Sequence, residues 1–253
     1  MTEIYGVVVR ELALLAGASP LVMMGLRNSH VPNRWKLVGC SALVMLLNDL
    51  ATSVDSIFGI APPDWLHWNW TGKLACIVTV AVIAGLLPRE ILRKSGLLTL
   101  PSKDSTLPVL GFLIYCTILG SLAAFDPKMT VNAETLAYQL LMPSLAEEPV
   151  FRAILPALLS TAMGSPWKIA GAQLGWWWLA ISVCFGLGHA VNWSTEGGFE
   201  FDMIPFVVVT LFTMPYGWIA ARCGSVWPCV IGHSLNNSTY VAMALLWKSW
   251  PVG

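Results

Sequence analysis

Long apolar runs separated by short polar stretches form the dominant pattern of this chain. A transmembrane helix needs about 20 mostly apolar residues to cross a bilayer. By that measure the sequence predicts about eight membrane-spanning helices, so the expected fold class is all-α, a polytopic membrane helix bundle. The predicted spans cover residues 5–26, 37–60, 66–87, 108–125, 136–163, 176–193, 203–221 and 226–247.

Composition supports a membrane protein. Hydrophobic residues make up 56% of the chain and charged residues 11%, whereas an ordinary soluble domain is about 25% charged. The formal net charge is zero, which argues against a nucleic-acid partner. We therefore expect the lipid bilayer and a membrane-associated protein or peptide as partners. The pattern predicts a single membrane domain over 1–253, with N-terminal helices in 1–130 and a second group of helices in 131–250.

Loop charges predict the orientation, because Lys and Arg accumulate on the cytoplasmic side of a membrane protein. Nine basic residues lie on one predicted side and four on the other, so both termini are expected outside the cytoplasm. The short loops favour a bacterial or archaeal cell membrane. The nine are Arg27, Arg34, Lys36, Arg89, Arg93, Lys94, Lys103, Lys168 and Arg222; the four are Arg10, Lys73, Lys128 and Lys248.

Three ionisable residues interrupt the fifth predicted span, at Glu147, Glu148 and Arg152. One charge at the centre of a membrane helix costs about 2.5 to 3.5 kcal/mol on insertion scales, so such residues mark functional sites. Glu148 and Arg152 are four residues apart and are expected to pair within the helix. Glu147 would then have no local partner. Three prolines in this span, Pro143, Pro149 and Pro156, each remove a helical donor, which is tolerated at this depth only where the freed carbonyl groups find partners or line a cavity.

Two histidines also fall within predicted spans. His189 ends the sequence Phe185-x-x-x-His189, and His233 begins His233-x-x-x-Asn237, whose two polar residues share one helix face. Peptide hydrolysis needs a base that activates water, donors for the developing oxyanion and an acid for the leaving amine. Glu147 with these polar residues could supply all three.

Span two contains three further polar residues, Asn48, Asp49 and Asp55. Asn48 and Asp55 are seven residues apart and are expected on one helix face. Hydrogen bonds between helices or a role in a substrate cavity are favoured over ion transport. A secondary transporter that uses the same buried charges is nevertheless the alternative function.

The three motifs together resemble the CAAX-processing and bacteriocin-processing family of intramembrane proteases, also called Abi proteins. Glu147-Glu148-x-x-x-Arg152, Phe185-x-x-x-His189 and His233-x-x-x-Asn237 occur in the family's order, each in its own predicted helix.

The resemblance implies a glutamate-type endopeptidase whose catalytic core is residues 131–250. In it Glu147, helped by His189, activates water, and His233 and Asn237 form the oxyanion hole. Glu148 and Arg152, with Phe185, would support the site. Family members cut CAAX proteins, bacteriocins or proteins with C-terminal sorting tails.

A metal-free mechanism without a cofactor is preferred for this site. The alternative is a metalloprotease in which Glu147, His189 and His233 bind zinc, because two histidines and one glutamate are a known zinc ligand set. The sequence contains no H-E-x-x-H motif to support it.

Overall fold

The computed structural model of the protein describes residues 2–27, 29–60, 63, 66–123, 132–194 and 198–249. Helices dominate these residues, which confirms the predicted all-α membrane bundle. A 3-10 turn (Lys103–Ser105) precedes α6, and a π-helical segment (Pro149–Ile154) joins α7 to α8. The α-helices are α1 (Thr2–Arg27), α2 (Arg34–Thr52), α3 (Val54–Phe58), α4 (Trp70–Leu86), α5 (Arg89–Ser95), α6 (Thr106–Ala123), α7 (Ala133–Glu148), α8 (Leu155–Met163), α9 (Trp176–Ala190), α10 (Met203–Cys223) and α11 (Trp227–Ser249).

Each predicted span contains helix, but the count of eight membrane crossings stays a prediction. Within the described ranges, four helical stretches are long and apolar enough to cross a bilayer: 4–27, 34–52, 103–122 and 203–223. The second predicted span is wrong in its extent, because α2 ends at Thr52 and a turn at Ser53 separates it from α3. Asn48 and Asp55 therefore do not share one continuous helix face.

Two short antiparallel hairpins lie outside the helical prediction. Strand β1 (Trp167–Ile169) pairs with β2 (Ala172–Leu174), and β3 (Val191–Ser194) pairs with β4 (Gly198–Phe201). The sixth predicted span accordingly ends at Ala190, where the chain turns extended. Strands this short carry too few residues for a recognisable alternation of apolar and polar positions.

The π-helical segment begins directly after the two glutamates. Pro149 has no N–H to donate and its ring crowds the preceding turn, which explains why the regular α-helical hydrogen bonds stop there. The wider turn continues through Arg152 to Ile154, and α8 follows without a loop. Of the prolines in this span, Pro149 thus marks a change of helix type, whereas Pro143 lies inside the regular helix α7.

Close helix contacts hold the two halves of the chain together. Gly120 of α6 lies against the backbone of Asn236 in α11, where any Cβ would collide with the carbonyl oxygen. On the other side, Tyr138 of α7 stacks on Trp68 with ring centroids 5.1 Å apart and meets Trp70 edge-on at 5.3 Å. The ring contacts place the start of α4 against α7, the helix that carries the glutamates, and the glycine contact places α6 against α11.

Candidate active site

Glu147, the residue expected to lack a local partner, is ion-paired across the bundle. Its Oε1 lies 2.6 Å from Nζ of Lys73 in α4, and the two side chains are 17% and 14% exposed. Lys73 was counted with the basic residues of the outer side, and its charged group contacts a carboxylate inside the bundle. An almost buried carboxylate is stabilised by a partner of opposite charge, and 74 residues separate the two partners along the chain.

Glu148 is the centre of a second, fully buried charge cluster. Its Oε1 accepts a hydrogen bond from Nδ1 of His233 at 2.8 Å, and its Oε2 lies 3.4 Å from Nε of Arg152. The predicted pairing of Glu148 with Arg152 is confirmed, and both side chains are 1% exposed. The guanidinium of Arg152 also sits over the rings of Phe185, 4.9 Å from the centroid, and Tyr216, at 5.8 Å.

His189 is held by its own helix in a defined orientation. Its Nδ1 lies 2.9 Å from the carbonyl oxygen of Phe185. A carbonyl oxygen only accepts, so Nδ1 must be the donor, and the neutral ring then keeps a free lone pair on Nε2. The Phe185 ring packs against the imidazole with centroids 4.7 Å apart. Phe185 is thus positioned to support both His189 and Arg152.

Asn237 is oriented by two neighbouring amides. Its Nδ2 donates to Oε1 of Gln139 in α7 at 2.9 Å, and its Oδ1 accepts from Asn236 at 3.2 Å. An amide nitrogen carries two N–H groups, so one hydrogen of Asn237 is left for another acceptor. Gln139 belongs to none of the three sequence motifs.

An apolar cavity of about 490 Å³ ends at these polar groups. His189, His233 and Asn237 line its polar end, together with Glu148 and Phe185. The rest of its wall comes mainly from apolar residues of α6 and α10: Leu119, Leu122, Val208, Val209 and Phe212.

A second cavity, of about 180 Å³, reaches Glu147 and His189 from the N-terminal helices. Arg10 of α1 and Asp49 of α2 in its wall form an ion pair at 2.7 Å. Asn48 also lines this cavity, whereas Asp55 is not among its lining residues. The buried oxygens Oδ1 of Asn48 and Oδ2 of Asp49 have no hydrogen-bond partner among the described residues. Such groups are commonly satisfied by buried water.

The structure does not favour the zinc alternative. Within the described part of the chain, no three or more His, Cys, Asp or Glu side chains are grouped so that they could hold a metal ion. One oxygen of Glu147 is already bound to Lys73, and Nδ1 of His233 is bound to Glu148. Independence from metals and other cofactors stays a prediction.

Comparison with known protein families identifies the second half of the chain. Residues 131–239 match the family model described as "Type II CAAX prenyl endopeptidase Rce1-like". The predicted family resemblance is confirmed over this segment. The CAAX-protease segment, residues 131–239, contains all three sequence motifs, and its family implies a peptidase. Together with the long apolar helices, it makes the protein an integral membrane protein. Searches of curated proteins and of solved structures found no match.

Within the CAAX-protease segment the predicted site residues divide into two groups. His233 and Glu148 are in direct contact, and Asn237 lines the same cavity as His189 and His233. Glu147 is not among the lining residues of that cavity but faces the second one, which His189 also lines. His189 therefore connects the two groups.

One contributor to the site, Lys73, lies outside the CAAX-protease segment. The available signal was a lysine inside the third predicted span together with a buried glutamate that lacked a partner. Gln139 gave a weaker signal, as a polar residue in the apolar run that precedes Glu147.

Proposed function

We propose that the protein is an intramembrane endopeptidase that hydrolyses a peptide bond of a membrane-associated substrate. The observation that carries the proposal is the apolar cavity of about 490 Å³ whose inner wall is formed by His189, His233 and Asn237. Apolar walls suit a hydrophobic peptide segment or a lipid-modified one, and the polar end provides groups for hydrolysis. CAAX-like, bacteriocin-like and C-terminal sorting-tail proteins are the substrate classes proposed.

Water activation is assigned to Glu147 and His189. With Oε1 of Glu147 held by Lys73, Oε2 accepts a proton from the water while the free lone pair of His189 Nε2 orients it. The resulting hydroxide attacks the carbonyl carbon of the substrate. The proton taken up by Glu147 then passes to the leaving amine as the C–N bond breaks, which restores the carboxylate.

Oxyanion stabilisation is assigned to His233 and Asn237. Because Nδ1 of His233 donates to the carboxylate of Glu148, its Nε2 is the ring atom left for the substrate. To donate from Nε2 as well, the ring must be the imidazolium, in which both ring nitrogens carry a proton. Asn237 contributes the N–H that Gln139 does not occupy. Donors fixed in advance stabilise a developing charge without reorganisation.

The decisive experiment compares protein termini by mass spectrometry in cells that express the wild type or Glu147→Gln at matched levels. New termini that require Glu147 would support the proposal and identify the substrate and the cleavage site. The matched control is Glu200→Gln, the same change at an exposed position of β4, which should leave cleavage intact. Termini that persist in Glu147→Gln would remove Glu147 from the mechanism. The transporter alternative gains no support from the fold or the family match.

A further inference from the structure

The second cavity, of about 180 Å³, differs from the apolar cavity in the chemistry of its wall. The apolar cavity is lined mainly by hydrocarbon side chains of α6 and α10. The charged and amide side chains that line the second cavity are Arg10, Glu11, Asn48, Asp49, Lys73 and Glu147. A cavity with polar walls retains water, whereas cavities that stay empty are apolar.

Buried oxygens in this wall require partners that the described side chains do not supply. Oδ1 of Asn48 and Oδ2 of Asp49 are buried and have no hydrogen-bond partner among the described residues. Asp49 as a whole is only 4% exposed. Buried polar groups in proteins are hydrogen-bonded, to ordered water where no protein group is available. At about 30 Å³ for each molecule, the cavity has room for several waters.

The base and the oxyanion donors of the proposed mechanism face different cavities. Glu147 is among the lining residues of the second cavity and not of the apolar one. His233 and Asn237 line the apolar cavity and not the second one. His189 lines both cavities, as does Phe185. The group that activates water therefore meets the cavity with polar walls, and the groups that bind the substrate carbonyl meet the cavity with apolar walls.

Hydrolysis of an apolar substrate needs water from a place that the substrate does not fill. Each turnover consumes one water molecule: its hydroxide adds to the carbonyl carbon, and its other proton leaves with the amine. A bound ligand buries most of its surface in its pocket and displaces water from it. With an apolar segment in the apolar cavity, the second cavity is the space next to Glu147 that stays available for water.

We propose that the second cavity holds the hydrolytic water and supplies it to Glu147, with Asn48 as a positioning residue for this water. The inference rests on the proposed endopeptidase function. It extends the site to α2, outside the CAAX-protease segment. Oδ1 of Asn48 accepts a hydrogen bond from the water of the cavity, which keeps that water beside the carboxylate of Glu147 on the same wall.

Asn48→Leu tests the proposal, because Leu has nearly the shape of Asn without its polar atoms. We expect kcat to fall about tenfold, since the water beside Glu147 loses a group that fixes it. KM should not change, because the substrate binds in the apolar cavity. Asn48→Gln keeps the amide and should recover most of the activity. The matched control is Ser41→Ala, which removes a buried hydroxyl from the same helix, bonded to the carbonyl of Leu37, and should leave kcat and KM unchanged.

A purely structural role of Asn48 predicts a different result. In a dry cavity Oδ1 of Asn48 would be an unpaired buried group, so Asn48→Leu would raise the melting temperature and leave kcat unchanged. That combination would overturn the proposal, as would a rise in KM with kcat unchanged. Rates are compared per folded protein, so a loss of stability alone does not imitate the expected result.

A crystal structure of the wild type that resolves bound water provides a test without activity. We expect ordered water within hydrogen-bond distance of both Asn48 Oδ1 and the water network at Glu147. A dry cavity in an enzyme with Glu147-dependent cleavage would reject the water site and keep the endopeptidase. Ordered water in a protein without any Glu147-dependent cleavage would reject the endopeptidase and, with it, the hydrolytic role of the water.

Discussion

The adjacent glutamates Glu147 and Glu148 are expected to differ sharply when each is replaced by Gln, a change that removes charge at nearly constant volume. Glu148 is 1% exposed and contacts two cationic or ionisable partners, His233 at 2.8 Å and Arg152 at 3.4 Å. Removing one member of a buried ion pair leaves an uncompensated buried charge and costs about 3 to 5 kcal/mol. Glu148→Gln should therefore lose stability in this range.

Glu147 is less costly to neutralise. Its side chain is 17% exposed, and that of Lys73, with which it forms an ion pair, is 14% exposed. Both side chains line the second cavity, where water can partly solvate Lys73 after the change. Glu147→Gln is therefore expected to lower the free energy of unfolding by about the contribution of one hydrogen bond to a charged group, about 1.5 to 3 kcal/mol. For chains of about 150 to 250 residues, 1 kcal/mol shifts the melting temperature by roughly 2 to 4 °C. Glu148→Gln should thus lower it by roughly 6 to 20 °C, and Glu147→Gln by less.

Thermal unfolding of the purified protein in detergent, followed by tryptophan fluorescence, measures both losses. Glu200→Gln serves as the control for the same chemical change at an exposed strand position and should leave the melting temperature unchanged. Equal losses for the two glutamates, or a larger loss for Glu147→Gln, would refute the assignment of Glu148 as the buried centre of the charge cluster.

Two further predictions concern residues that position the catalytic groups. Lys73→Met should lower kcat about 10²-fold, because Glu147 loses the contact that fixes its carboxylate. Lys73→Arg keeps a positive charge and should retain more activity. Initial rates on a cleavable peptide measure both variants, and a fully active Lys73→Met would contradict the positioning role of Lys73. Gln139→Leu should lower kcat about tenfold with KM unchanged, because Asn237 loses its acceptor at 2.9 Å. Gln139→Glu keeps an acceptor and should recover activity, and a change in KM alone would point to substrate binding instead.

The sequence by itself determined the features that depend on local spacing. Four-residue spacing predicted the contact of Glu148 with Arg152, because residues one helical turn apart are neighbours wherever the helix lies. Apolar runs of membrane length predicted the helices, because the length and composition of each run can be read without knowing its neighbours. The three motifs were sufficient to indicate the family, because their order along the chain needs no knowledge of packing.

Only the tertiary structure decided which groups meet across the bundle. Lys73 contacts Glu147 across 74 residues of sequence, Glu148 contacts His233 across 85, and Gln139 contacts Asn237 across 98. Helical periodicity specifies the face on which a side chain lies but not the helix packed against that face. That partner depends on how whole helices fit together, as where Gly120 lets α6 and α11 approach closely. For the same reason the position of the cavity appeared only in the folded molecule.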